Sequence, residues 1–389
     1  MSYKPTVFNQ LFNFIPRYAF EKSVREHAAD HYAKTFKAWQ QFLLLLYAQA
    51  TGKQSLREIE GGLQLHLPRL YHLGLRPVAR STISDGMQRR DCAVFEALFH
   101  AMVRRTASLA PKHRFRFDNP LYSIDASTID LCLSVFDWAR FRKQKGAIKL
   151  HCQLDHSGHI PSFVHISDGK THDVKAAESF FELEPDSIYC IDKAYVSFEW
   201  LHSIHKTGAF FVTRAKTNMD YRITGQHSKP AKNGVKADWI IELRGTVSSQ
   251  KYPEKMRLVV FKDPETQKVY QFITNNFKLA AATIAAIYKE RWQIELFFKW
   301  IKQNLKIKTF LGTSKNAVMA QVWVAMIYYL LLAYIKFMSK TALSLTDFAR
   351  RMKEAIMMHM DLLELLGLEP SAGRSPPGAD QSDQMVFIL

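Results

Sequence analysis

Between Ala281 and Leu305 the apolar residues recur with the spacing of one long helix, and its polar side carries the residues best suited to chemistry. At about 100° per residue, Tyr288, Arg291, Glu295, Lys299, Lys302 and Lys306 fall within an arc of roughly 80°. Ile294, Phe297, Trp300, Ile301 and Leu305 occupy the opposite, core-facing side. A charged, solvated face with i,i+4 support such as Glu295–Lys299 accounts for part of this pattern. It does not explain why one carboxylate is set among four Lys/Arg. A carboxylate that holds a metal ion, beside cations that hold phosphates, does.

A single carboxylate holds a divalent ion poorly, so partners are required. Asp125 and Asp192 each close an apolar stretch, Leu-Tyr-Ser-Ile-Asp and Ile-Tyr-Cys-Ile-Asp, which read as strands ending in a carboxylate. Mg²⁺ favours such hard oxygen ligands and keeps positions open for substrate phosphates. Two ions about 4 Å apart activate an attacking hydroxyl and stabilise the departing oxygen. Taken singly, an Asp at a strand end is more often a turn former or helix cap; the three carboxylates matter as a set.

The composition suits such a substrate. The 389 residues, 47% hydrophobic and 13% aromatic, are enough for two or three domains with sizeable cores and exclude a disordered chain. A net charge of +17 points to an extended anionic partner, nucleic acid first, although a basic enzyme of another kind fits equally on composition alone. The excess is concentrated. Residues 1–120 hold 18 Lys/Arg against 9 Asp/Glu, and residues 281–310 hold 6 against 2, as phosphate contacts favour. Cys92, Cys132, Cys152 and Cys190 have no zinc or CxxC spacing and read as buried, reduced thiols of a cytosolic protein. No charged-then-apolar leader opens the chain. The most apolar run, Val322 to Ile335, is shorter than the roughly 20 residues that span a bilayer and reads as a core helix.

These residues need a frame. Residues 1–115 read as helical, with Trp39 to Tyr47 strongly apolar and Ser55/Glu58 a capping box. In Leu75 to Asp85 a turn, a Ser/Thr cap and a helix bearing Arg89 and Arg90 have the form of the second half of a helix-turn-helix; Arg80, Ser81, Thr82, Arg89 and Arg90 are its candidate DNA contacts. A basic surface helix is the commoner origin of that pattern. From about residue 120 the period changes to strands: Leu121 to Asp125, a hairpin of Ile148–Leu154 and Pro161–Ile166, Ser187 to Asp192, and Ala209 to Thr213. Helices at Asp173–Phe181 and around Tyr195–His205 complete a mixed α/β core. Residues 217–276 read as a β-rich insert, and the tail from Ser371 to Asp383 as disordered.

The wording YKERWQIELFFKWIKQ, with its spacing Tyr288-x2-Arg291-x3-Glu295-x6-Lys302, resembles the Tyr-Arg-Glu-Lys signature of a large family of bacterial insertion-sequence transposases, the insertion sequence four family, with an Asp-Asp-Glu triad. YSIDAST around Asp125, IDKAY around Asp192 and the segment Asp168 to Asp173 resemble that family's intervening motifs. Lys193-Ala194 stands where members often carry Arg-Gly. The resemblance covers roughly residues 5 to 340.

The resemblance implies an α/β, ribonuclease-H-like catalytic core over residues 116–340 with its β-rich insert. A helical DNA-binding domain over 1–115 precedes it, and helices and a tail over 341–389 follow. It implies Asp125, Asp192 and Glu295 as catalytic metal ligands for Mg²⁺ or Mn²⁺, two ions being expected, and Tyr288, Arg291 and Lys302 as phosphate contacts. Lys299 and Lys306 join them from the helical wheel. Some relatives cut through a DNA hairpin with a flipped base stacked on an aromatic of the insert; Trp239 is the candidate, although a strand Trp more often packs a core. His172 could assist near the metals, a hydrogen-bonded structural role being the commoner one. The expected partners are double-stranded DNA, as terminal inverted repeats and target, and a second copy of the chain on that DNA. The expected location is the bacterial cytoplasm, with the nucleoid. Two rivals remain at this point: a nuclease of the same fold without strand transfer, and a DNA-binding remnant with an inactive core.

Overall fold

The computed structural model describes residues 4–70, 73, 75–142, 145–171, 173–230, 233–305, 307 and 309–368. Lys306, His172 and the tail from Ser371 lie outside them. The described chain forms two compact units: one of the residues up to Leu109 together with those from Asn304, the other of Ala110–Gln303.

The first unit is helical. Its N-terminal part holds α1 (Val7–Phe12), α2 (Arg17–Glu26), α3 (Ala38–Thr51), α4 (Leu56–Gln64), α5 (Leu67–Leu70), α6 (Arg80–Arg89) and α7 (Ala93–Ala107). Helix α3 is buried from Gln41 to Ala50 and stops at Gly52, whose φ of 74° is the left-handed cap that glycine adopts without strain. Ser55 caps α4 by accepting from the Glu58 amide at 3.2 Å, while the Glu58 carboxylate takes the Gln54 amide at 3.0 Å. That is a capping box displaced by one residue.

The second unit follows: β1 (Leu121–Leu131), β2 (Arg140–Arg142), β3 (Lys145–Asp155), β4 (Ile160–Asp168), α8 (Asp173–Phe180), β5 (Ile188–Ile191), α9 (Phe198–Lys206), β6 (Phe210–Arg214), β7 (Tyr221–Gln226), β8 (Val235–Leu243), α10 (Thr246–Lys251), β9 (Met256–Lys262), β10 (Val269–Thr274), α11 (Ala281–Glu290) and α12 (Trp292–Asn304). Its described strands form one mixed sheet in the order β2-β3-β1-β5-β6-β10-β9-β8-β7, with β4 on β3. The β1–β5 and β5–β6 pairs are parallel and the rest antiparallel. Because strand side chains alternate faces, Tyr122, Ile124, Tyr189 and Ile191 pack with Trp200, Leu201 and Ile204 of α9 on one side. Leu121, Ile188 and Cys190 meet Ala281, Ile284, Ala285 and Ile287 of α11 on the other. The β-rich insert is not a separate body: β10 pairs with β6, so the insert widens the core sheet.

A buried ion pair ties two strands of the insert together. Arg257 on β9 donates to both carboxylate oxygens of Asp238 on β8, at 2.7 and 2.8 Å, and to the carbonyls of Asn276 and Leu279. Both charged residues are almost wholly buried. The bidentate fork and backbone acceptors satisfy a charge that would otherwise be costly inside a core, and they anchor the segment that leads into α11.

From Ser314, which caps it, α13 (Lys315–Ser339) returns to the helical unit and packs on α3, α6 and α7. Then come α14 (Leu345–Ala355) and α15 (Leu362–Leu365). The apolar run expected to form a short core helix is thus part of a 25-residue one. It is long and apolar enough to cross a membrane, yet 94% of its most apolar window is buried within the fold, the pattern of a core helix. The amides of Val7 and Phe8 bond to the carbonyls of Met358 and Ile356 at 3.0 and 2.8 Å, tying the two ends of this unit together.

Candidate active site

Asp125 does not end its strand. β1 continues to Leu131, and Asp125 stays paired with Cys152 of β3. On the β5 side, however, the ladder stops at Ile124–Ile191. Asp125 and Asp192 are the next residues in that parallel register, both on the face covered by α11. Each has one oxygen pinned by its own backbone: Asp125 Oδ1 accepts from the Ala126 amide at 2.8 Å, and Asp192 Oδ1 from the Ala194 amide at 2.9 Å. The other oxygen of each faces Arg291.

The long helix expected over 281–305 is two helices. α11 stops at Glu290 and α12 begins at Trp292, with Arg291 between them. The Arg291 amide bonds to the Tyr288 carbonyl and the Ile294 amide to the Arg291 carbonyl, three-residue spacings that tighten the turn locally. The single-helix arc is therefore corrected: Tyr288 lies on α11, and Glu295, Lys299 and Lys302 on α12.

Arg291 draws the triad together. Its guanidinium is 3.8 Å from Asp125, 3.7 Å from Asp192 and 2.5 Å from Glu295. Arg291 is mostly buried, while the three carboxylates are between a fifth and a third exposed. Burial pushes the Asp125 carboxyl up to about 6; the Ala126 amide and Arg291 pull against this, and the other two carboxylates add to it. Burial also opposes the Arg291 charge, but Tyr288 and the carboxylates more than offset that. Three oxygen donors of one charge type around one cation form a set that suits a hard divalent ion.

Around the triad Lys299 is exposed and Lys302 half-buried. Tyr288 is half-buried, with its ring 5.7 Å from the Arg291 guanidinium and its hydroxyl pushed up to about 12 by burial. A cavity of about 480 Å³ opens beside Arg291, walled by Phe261, Tyr270, Tyr288 and Trp292. Trp292 is 55% exposed. Trp239, the aromatic singled out from the sequence, instead packs partly buried against the core of Tyr189, Trp200 and Tyr252. Sequence reading also passed over Tyr195, buried one turn after Asp192, whose hydroxyl has no partner among the described residues.

In the helical unit, α4 and α6 pack together. Ala79, not a Ser or Thr, precedes α6, so Ser81 and Thr82 lie in its first turn. Arg80, Ser81, Thr82 and Arg89 are exposed, and Arg80 pairs with Glu60 at 2.9 Å. Arg90 is different. It is buried, bonding to the carbonyls of Ala29 and Phe36, to Asp30 and to the Gln41 side chain. With its donors turned inward it braces this unit, which corrects its inclusion among the DNA contacts. Cys132, expected to be buried, is exposed, and all four thiols are free.

Comparison with known proteins shows the family of the chain. The family described as "Transposase DDE domain" matches residues 116–331, more than half of the chain and all three carboxylates. The chain belongs to this transposase family. Residues 3–76 also match a family described as a domain of unknown function (DUF4372). Among curated relatives, "Putative transposase y4zB" of Sinorhizobium fredii is 33% identical over 70% of this chain and 74% of its own length. "Probable transposase for insertion sequence element IS5377" of Geobacillus stearothermophilus is 28% identical over 73% and 74%. "Putative transposase for insertion sequence element IS4SA" of Synechocystis is 22% identical over 69% and 75%. A solved piggyBac transposase synaptic complex with hairpin DNA aligns with a TM-score of 0.45 at 10% identity, over 97% of this chain and 87% of that one. The protein is thus a bacterial insertion-sequence DDE transposase, an enzyme that cleaves and transposes DNA, and its family uses divalent metal ions.

Proposed function

We propose that Asp125, Asp192 and Glu295 are the metal ligands of this transposase, on a ribonuclease-H-like core, and that they hold Mg²⁺ or Mn²⁺, two ions at once. The observation that carries this is the convergence of all three carboxylates on the Arg291 guanidinium. When bound, the ions would activate the attacking hydroxyl and stabilise the leaving oxygen of an in-line displacement. The sheet and α12 would supply the rigidity, since one oxygen of each Asp is already fixed by backbone.

On this reading Arg291 is a stand-in cation. It neutralises the carboxylates until metal and DNA arrive, then turns its planar fork to a phosphate near the cut. Tyr288, Lys299 and Lys302 would line the same strand, and Lys306 is proposed on sequence alone. The exposed Arg80, Ser81, Thr82 and Arg89 on α6 would contact the terminal inverted repeats of the element. Handling two ends together implies a homodimer on the DNA, which would act at the nucleoid in the bacterial cytoplasm.

The test is cleavage of a labelled duplex carrying an element end and its flank, with Mg²⁺ or Mn²⁺, by the wild type and Glu295→Ala. Boundary-specific nicking lost in the variant, with DNA binding retained, supports the assignment. Equal cutting by both places the active site elsewhere, and no cutting by either favours the DNA-binding remnant. A joined product with target DNA separates strand transfer from hydrolysis alone.

A further inference from the structure

Beside the triad, where α11 ends, lies a cluster that the proposed transposase chemistry does not use. His156 and His159 sit on the tight turn between β3 and β4, and Glu290 is the last residue of α11. One ligand atom from each lies within 4.8 Å of the others. We propose that His156, His159 and Glu290 form a second metal site, for a borderline cation of the zinc class.

The cluster is built rather than accidental. His156 is 4% exposed, and its amide is fixed to the Leu121 carbonyl at 3.0 Å. Its Nε2 is 2.7 Å from the Ser123 hydroxyl. Its Nδ1, by contrast, is buried with no hydrogen-bond partner among the described residues and stands 3.9 Å from Glu290 Oε2. That is too long for a hydrogen bond and somewhat longer than the separation of two ligands on one tetrahedral ion. A buried ring nitrogen left without a partner costs free energy, and a cation between it and the carboxylate would remove that cost.

The surroundings match those that orient ligands. Metal-bound imidazoles pass their other ring nitrogen to a neighbouring acceptor, which fixes the tautomer; here Ser123 is in place to accept from Nε2–H and leave the Nδ1 lone pair for the ion. Arg114 donates to Glu290 Oε1 at 2.5 Å, leaving Oε2 directed at His156. Two imidazoles and one carboxylate with a fourth position for water form a set that zinc takes at about 2.0–2.2 Å, whereas Mg²⁺ prefers oxygen alone. Donors at that distance sit roughly 3.4 Å apart on a tetrahedron, so the cluster must contract. His159 is exposed on the turn, with its ring centroid 6.0 Å from that of His156. An ion here would join the β3–β4 turn to the residue immediately before Arg291 and so hold the helix break in place.

The experiment uses the full chain as the double variant Asp125→Asn/Asp192→Asn, which disables the triad, with Zn²⁺ alone as probe in competition with a chromophoric chelator. One equivalent is expected, not displaced by millimolar Mg²⁺. Adding His159→Ala, on an exposed side chain, or the isosteric Glu290→Gln should each lower zinc affinity at least tenfold while the far-UV spectrum is unchanged. No zinc bound by the double variant overturns the proposal. So does equal affinity with and without the His159 and Glu290 substitutions.

Discussion

Arg291 donates to Glu295 at 2.5 Å from the one residue that separates α11 from α12. The break puts the guanidinium inside the carboxylate cluster rather than along a helix face. If Arg291 substitutes for metal before DNA arrives, its loss has opposite effects on two measurements. Arg291→Ala should bind Mn²⁺ more tightly than wild type without DNA, because a competing cation is gone. Its cleavage rate should fall by about 10²- to 10³-fold, as when one preorganised transition-state contact is removed. Arg291→Lys should not restore it, lacking the planar fork. Unchanged Mn²⁺ affinity by titration calorimetry would show that Arg291 and the metal do not share the site.

Two adjacent arginines should behave differently. Arg89 is exposed and Arg90 buried in four sets of internal bonds. Arg89→Ala should weaken element-end binding and lower the salt slope by about one with unfolding unchanged. Arg90→Ala should destabilise the helical unit by about 3 kcal/mol, since it removes the donor to the Ala29 and Phe36 carbonyls and to the Gln41 side chain. Urea unfolding and binding at two salt concentrations separate them.

His151 gives a pH dependence. It is fully buried on β3, with Nε2 2.8 Å from the Ser167 hydroxyl, and burial lowers its pKa from the ordinary 6.5 to about 4, with Asp173 opposing. The unfolded chain then takes up a proton between pH 6.5 and 4 that the folded one refuses. Stability is therefore full above pH 6.5 and lost as pH falls towards 4, by about 3 kcal/mol for this group. His151→Asn should flatten that slope in denaturant titrations at pH 7 and pH 5. His156, also lowered by burial, leaves part of it.

The Arg257–Asp238 pair anchors the entry to α11 and should fail when halved. Arg257→Ala leaves the buried Asp238 carboxylate without a cation, with the Ser228 hydroxyl still donating to it, and should cost about 3–5 kcal/mol, seen as a lower urea midpoint. Replacing both partners with apolar residues of similar size should restore much of it, and a double variant no better than the single one would contradict that account.

Much of the α/β unit was legible because strand and helix periods differ and turns carry Gly, Pro and Asp. The hairpin at Ile148–Ile166, helix α8 and the strand before Asp192 stand where the pattern puts them. Asp125 was misplaced as a strand end because β1's continuation, Ala126 to Leu131, is mixed in polarity; what singles out Asp125 is β5 stopping beside it, a fact of pairing and not of period. The break at Arg291 was invisible for a similar reason. No Pro or Gly marks it, and the apolar spacing runs through it unchanged. Arg90 and the His156–Glu290 contact depend on partners tens of residues or more away, which a helical wheel cannot represent.

The return of α13 to the helical unit sets a timetable for synthesis. The faces of α3 and α7 that α13 covers are made first, but their cover follows only after all of Ala110–Gln303 has been translated. At about 5–20 residues per second, that delay is on the order of 10–40 s. During it the sheet unit, contiguous in sequence, can fold on the ribosome, while the helices that precede it wait with apolar surface uncovered. The nascent chain therefore holds the whole of the sheet unit before it completes the unit in which it began.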